Sequence, residues 1–224
     1  MAHVLVYPDG MRRYSSLRSV SLDSAYYLGG LRLKLAAQWL LLHCHFQTAT
    51  FHCLALYNQR RSHEELQPLV DNGIRTLVSL LDAGWIRRHN ISLRVIGALD
   101  QLADQFPDVT QLLRFAQQRR YRYQVQTLNI LAAYGGIWDL EQAMQACEVS
   151  GKSTSFQHIA QFLKFNCPVD LIVRSGQRYR QVRLSDTLLQ AEQAQMFGFP
   201  TLWPEVRKVQ VVRIYNQWES LIKQ

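Results

Sequence analysis

Residues 3–13 read HVLVYPDGMRR, and the fold turns on how that stretch is understood. The run His3–Tyr7 suits a short, buried strand, because Val, Leu and Tyr fit a pleated sheet and a Pro-Asp-Gly turn signal bounds them. An Asp-Gly at the carboxyl end of such a strand lies where open α/β sheets place ligand-binding loops. Gly10 permits close backbone approach, Asp9 can hold a hard cation, and Arg12 and Arg13 can fork onto phosphate oxygens. The same residues also read as an ordinary β-turn followed by solvated arginines.

Further strand-like runs recur at Thr48–Leu54, Ser92–Gly97, Val125–Leu131 and Val169–Arg174. Between them, apolar residues at three- and four-residue spacing predict helices over about Ser24–His43, His63–Ala83, Asp108–Arg119, Trp138–Cys147 and Thr154–Phe165. The first helix carries a stripe of Leu28, Leu31, Leu35, Trp39 and Leu42, which reads as core or as the wall of an apolar tunnel. Strands alternating with helices predict an α/β fold with a mostly parallel sheet. No repeat or linker divides the chain, so residues 1–224 read as a single domain. Polar signals gather after several strands: Asp9–Arg13, Asn58–Arg61 in LALYNQRRSHEEL, Tyr134-Gly135-Gly136, and Arg174-Ser175-Gly176. Together they point to one phosphate-ligand site at the strand ends.

The composition is that of a globular chain and not a disordered one: 48% apolar and 19% charged residues over 224 positions. The formal charge of +8 favours an anionic partner. Its arginines are dispersed in pairs, with no basic tract or nucleic-acid motif, which suits a diphosphate better than a duplex. Four cysteines without CxxC spacing indicate neither a zinc site nor a disulfide frame. His43, His45 and His52 are spread over a helix end and a strand and read as structural. No signal peptide or membrane-length apolar run is evident, so the expectation is a cytoplasmic protein with at most peripheral membrane contact.

PDGMRRY (8–14), LNILAAYGGIWDL (128–140), PVDLIVRSG (168–176), RLS (183–185) and LWPEV (202–206) together resemble the cis-prenyltransferases, the undecaprenyl diphosphate synthase family, from His3 to about Glu205. The opening PDGMRRYSS and the following VSLDSAY are similar to the lavandulyl and cyclolavandulyl branch, whose members join two small allylic diphosphates head to middle. The resemblance implies a central sheet wrapped by helices, a hydrophobic tunnel, a homodimer and Mg2+. It also implies the chemistry: an allylic diphosphate ionises, a second prenyl diphosphate captures the cation, and loss of a proton ends the condensation. By this resemblance Asp9 binds the diphosphate-bound Mg2+; Gly10, Arg13 and Arg61 contact the allylic diphosphate; and Asn58 acts in condensation, while Arg12, an arginine the family loop lacks, is read as a further contact to the departing diphosphate. Arg174, Arg183 and Ser185 hold the second diphosphate, with about three extra residues between the two arginines.

The chain also departs from the family pattern. The Asp-Gly-Asn-Gly-Arg-Trp loop is Asp9-Gly10-Met11-Arg12-Arg13-Tyr14, a first-helix histidine is Tyr26 or Tyr27, and the serine before the asparagine falls at Ala55. The Asn-Tyr-Gly-Gly-Arg segment is Ala133-Tyr134-Gly135-Gly136-Ile137, and the metal-site glutamate falls at Gln195 or Met196. An arginine- and glycine-rich tail is replaced by ESLIKQ. These changes point away from long-chain elongation. Three activities stay open: a short-chain or irregular prenyl diphosphate synthase, a terpene synthase or cyclase on the same scaffold, and a non-catalytic partner subunit.

Overall fold

The computed structural model describes residues 2–107, 109, 125–176, 190–191 and 193–223. Six strands form one sheet: β1 (His3–Tyr7), β2 (Thr48–His52), β3 (Ile91–Ile96), β4 (Gln126–Leu131), β5 (Leu171–Arg174) and β6 (Gln195–Gly198). The order is β3-β4-β2-β1-β5-β6, and every pairing is parallel. The described helices are α1 (Met11–Arg18), α2 (Leu22–Gln38), α3 (His63–Leu81), α4 (Gly84–Arg88), α5 (Leu99–Gln105), α6 (Gly136–Val149), α7 (Phe156–Phe162) and α8 (Lys208–Ile222).

Strand alternation divides the core. Val4, Val6, Ala49, Phe51, Leu128, Leu171 and Val173 face one way and pack with Leu33 and Ala37 of α2, Leu77 and Leu80 of α3, and Ile214 and Trp218 of α8. Leu5, Tyr7, Leu131 and Ile172 face the other way, against Tyr134 and Phe165. Because both faces are covered, β1 is buried along its whole length and apolar after His3.

One polar row crosses this interior. Thr50 Oγ1 lies 2.7 Å from His3 Nε2 and accepts from Asn129 Nδ2 at 3.0 Å, while His3 Nδ1 meets the Pro168 carbonyl at 2.7 Å. Burial depresses the pKa of His3, and it depresses that of His52 to about 4. A histidine whose folded pKa lies below its unfolded value of about 6.5 stabilises the fold fully above that value and loses the contribution as pH falls. Urea midpoints are therefore expected to drop from pH 7 toward pH 4, with His52 alone costing about 3 kcal/mol. His52→Phe should flatten the profile; an unchanged slope would contradict this account.

The strands predicted from sequence are all present, β2 ending at His52 instead of Leu54. Beyond it the chain turns along β4's exit, with the Cys53 and Leu54 amides donating to the Leu131 carbonyl and a bridge joining Ala55 to Tyr134. The first long helix begins at Leu22, capped by Ser21 Oγ, and its last turn, Trp39–His43, widens to π geometry. The predicted helix 108–119 lies outside the described residues, Val109 excepted, as do Arg183 and Ser185. Five elements had no counterpart in the sequence reading: α1, α4, α5, β6 and α8.

Candidate active site

The chain leaves β1 toward β2 on one side, and leaves β5 toward β6 on the other. In a parallel sheet that divergence opens a crevice beyond the carboxyl ends of the two strands. The strand register aligns His52 with Leu131, Tyr7 with Arg174, and Arg174 with Gly198 along this edge. Asp9 and Gly10 rise directly above it.

The loop after β1 is fixed from both sides. The Asp9 amide donates to Ser175 Oγ at 2.9 Å, and the Asp9 carbonyl accepts from Ser175 Oγ at 3.0 Å and from the Trp203 amide at 3.1 Å. The Gly176 amide donates to the Thr201 carbonyl at 2.8 Å. Gly176, at φ 69°, is required here: a Cβ would come within 2.7 Å of Arg13 Nη2 and 3.0 Å of the Asp9 carbonyl. Gly10, at φ 109°, starts α1, whose first amides face the cleft without helical acceptors. Ser175 and Gly176 thus belong to the site's frame; the only sequence signal for them was their place after a strand.

Within this frame the structure assembles most of the predicted residues around a cleft of about 680 Å³: Asp9, Gly10, Arg12, Arg13, Asn58, Arg61 and Arg174 all line it. Arg174 Nη2 donates to Asp9 Oδ2 at 3.0 Å, while Asp9 Oδ1 lies 3.6 Å from Arg13 Nη2, beyond hydrogen-bond range. The Arg174 guanidinium also sits 5.9 Å from the Tyr7 ring centroid. Arg61 Nη2 donates to Asn58 Oδ1 at 2.7 Å. The cap of α3 is Ser62, which accepts from the Glu65 amide, so Asn58 is spared for Arg61. Four guanidiniums around one carboxylate make a basin for an anion with more than one charge.

A second, apolar cavity of about 130 Å³ opens beneath the cleft, between α2, α3 and the sheet. Pro8, Met11, Tyr26, Cys53 and Leu69 line both spaces. Of Tyr26 and Tyr27 it is therefore Tyr26 that faces the site; Tyr27 is half exposed. Burial raises the Tyr26 pKa, with the Arg61 and Arg12 charges pulling the other way. Burial pushes the Cys53 thiol up to about 12, which leaves it a protonated, inert wall atom.

The YGGIWD motif supports the site from behind. Asp139, fully buried, accepts from the Tyr134 hydroxyl at 2.9 Å and from the Lys164 and Phe165 amides at 2.9 and 3.0 Å. Asp139→Ala would strand those three donors, each costing about 1–3 kcal/mol. Chemical denaturation should show a loss of at least about 3 kcal/mol, and Asp139→Asn, which keeps an acceptor, should lose less.

Among the described residues, no three His, Cys, Asp or Glu side chains converge on one point. Gln195 and Met196 pair with Leu171 and Ile172, two to three residues before the carboxyl edge, or roughly 7–10 Å along the strand. Asp9 is the carboxylate that lines the cleft, two-fifths exposed, and a cation held there would need phosphate oxygens to complete its shell.

A family model described as "Putative undecaprenyl diphosphate synthase" matches residues 7–224. The chain belongs to this family of prenyltransferases. Curated relatives include the geranylgeranyl-diphosphate-specific tritrans,polycis-undecaprenyl-diphosphate synthase of Sulfurisphaera tokodaii, 27% identical over 97% of this chain and 85% of that protein. The farnesyl-diphosphate-specific ditrans,polycis enzyme of Pectobacterium atrosepticum is also 27% identical, over 91% and 81%. Among solved structures, lavandulyl diphosphate synthase from Lavandula x intermedia, in complex with dimethylallyl diphosphate, superposes with a TM-score of 0.75 at 21% identity, covering 96% and 94% of the chains. A Campylobacter jejuni protein described as a "probable undecaprenyl diphosphate synthase" gives 0.75 at 20% identity, covering 98% and 95%. As a family member the chain is a prenyl diphosphate synthase of cis-prenyltransferase type, with the parallel-sheet fold of its neighbours.

Proposed function

We propose that this prenyltransferase is a short-chain synthase, which ionises a dimethylallyl- or geranyl-type diphosphate and condenses it with a second prenyl diphosphate, in regular or head-to-middle fashion. The size of the apolar cavity carries the proposal. At about 130 Å³ it is close to the engineered protein cavity of about 150 Å³ that takes up benzene, six carbons in all. Among the described residues that room suits a five-carbon tail, a ten-carbon one extending into the adjoining cleft, and it falls short of a polyprenyl chain.

In this reading the arginines and α1 amides around Asp9 hold the allylic diphosphate, its tail descending past Tyr26 into the cavity. Arg12, Arg13 and Arg61 face the departing oxygens, where positive charge stabilises the breaking C–O bond. Asn58 holds Arg61 in place. Asp9 would hold Mg2+ together with substrate phosphate oxygens, adding charge at the leaving group. Arg174 takes the second diphosphate, joined by Arg183 and Ser185. The apolar walls exclude water, which would quench the cation.

The test is product analysis by mass spectrometry, with dimethylallyl, geranyl and isopentenyl diphosphates and magnesium. Ten- or fifteen-carbon diphosphates are the expected products. Products with the carbon number of a single substrate would mean a terpene synthase on this scaffold; long polyprenyl products would refute the short-chain reading.

A further inference from the structure

One buried side chain in the cleft has no task in the reaction described so far. His52 ends β2 with its ring stacked on Tyr7, at a centroid separation of 5.2 Å and an interplanar angle of 25°, and edge-on to Tyr134 at 6.1 Å. It is only 7% exposed, yet it lines the cleft, and its Nε2 meets no hydrogen-bonding partner. A buried ring nitrogen without a partner is costly and is kept for a reason to be found in the cleft.

We propose that His52 Nε2 is the proton acceptor of the condensation, removing the hydrogen that the second substrate loses after carbon–carbon bond formation. The inference rests on the condensation proposed above. Placement supports it: along the carboxyl edge Tyr7 stands between His52 and Arg174, so the ring sits two strands from the arginine assigned to the second diphosphate and lines the same cleft. The other candidate bases of the cleft are committed. The Asp9 carboxylate faces Arg174 and Arg13, Asn58 holds Arg61, and the Cys53 thiol stays protonated. Burial and the nearby Arg174 charge keep the imidazole neutral, and Nε2 has no hydrogen-bonding partner that would occupy a lone pair there. A weak base suffices, since hydrogens beside a carbocation are strongly acidic.

The step balances without a further reagent. The allylic C–O pair leaves with the diphosphate, and the π pair of the second substrate forms the new C–C bond. The C–H pair beside the resulting cationic carbon becomes the new double bond, and the proton passes to Nε2, then to the released diphosphate or solvent.

The test compares wild type, His52→Phe and His52→Gln with dimethylallyl and isopentenyl diphosphates and magnesium. Phe keeps the ring stack on Tyr7 and removes the unpartnered nitrogen, so it should fold; Gln restores hydrogen bonding without basicity. Both variants should lose about 100-fold in kcat with KM values within threefold of wild type. Both should also show a larger deuterium effect on kcat when the second substrate is deuterated at all carbons flanking C3. A kcat within threefold of wild type in either variant, or a KM defect with kcat retained, would overturn the proposal. A wild-type chain that makes no condensed product at all would instead remove the function on which the proposal rests.

Discussion

Asp9→Ala should abolish product formation, lowering kcat/KM by at least about a thousandfold, while leaving the fold intact. The carboxylate is two-fifths exposed and its ion pairs border solvent, so losing it costs little stability. The loop itself hangs on backbone contacts to Ser175 and Trp203, none of which uses the carboxylate. What disappears is the group placed to share a cation with the diphosphate at the point where leaving-group charge develops. A thousandfold corresponds to about 4 kcal/mol, within what electrostatic stabilisation supplies at such sites. Asp9→Asn sharpens the test, because it can still accept from Arg174 but carries no charge, and it should be nearly as impaired. Calorimetry should show magnesium no longer enhancing the binding of a thiolo-diphosphate analogue. Activity in Asp9→Ala close to wild type, persisting in a chelator, would overturn this account of the loop.

Arg174→Ala is expected to raise the KM of the second diphosphate by roughly 100-fold, with a smaller effect on the allylic substrate. Arg174 closes β5, stands next to Tyr7 across the sheet, and reaches Asp9 at 3.0 Å. Its position lets one guanidinium orient the Asp9 carboxylate and line the cleft where a phosphate would sit. Two charge-assisted hydrogen bonds, at about 1.5–3 kcal/mol each, account for the size of the effect. Arg174→Lys should recover only part of it, since an ammonium cannot fork onto two oxygens at once. Steady-state kinetics with each substrate varied in turn separates the two sites. Equal KM changes for both would mean that the cleft holds one shared diphosphate position.

The parts of this molecule that the sequence announced are those where one residue type answers to one physical demand. His3–Tyr7 could be read because a strand covered on both faces carries a nearly unbroken apolar run, and Asp9-Gly10 because only glycine enters the turn before α1 at low cost. Helix α1 escaped because none of its residues is buried: MRRYSSLR carries no stripe, and its place after Gly10 holds it. Strand β6, QMFG, is a four-residue edge with exposed ends, too short for a pattern. The missing α8 is another matter, since Val211, Ile214 and Trp218 repeat at helical spacing and bury one face. In the site, Asp9, Arg13, Asn58, Arg61 and Arg174 were legible as chemistry. The choice of Tyr26 over Tyr27 needed the helix rotation, and His52 lay hidden in a strand where a ring reads as core.

The central place of β1 also governs how the chain is made. One edge finds β2 within about fifty residues of sequence, but the other waits for Leu171–Arg174. At about 5–20 residues per second of synthesis, that edge stays unpaired for roughly ten to thirty seconds on the ribosome. An apolar strand with an open edge is a template for pairing with a neighbouring chain. Nascent copies of this protein are therefore most exposed to mispairing before residue 171 emerges, and a chaperone that shields the first strand during that interval would raise the yield of active enzyme more than any stabilisation of the finished sheet.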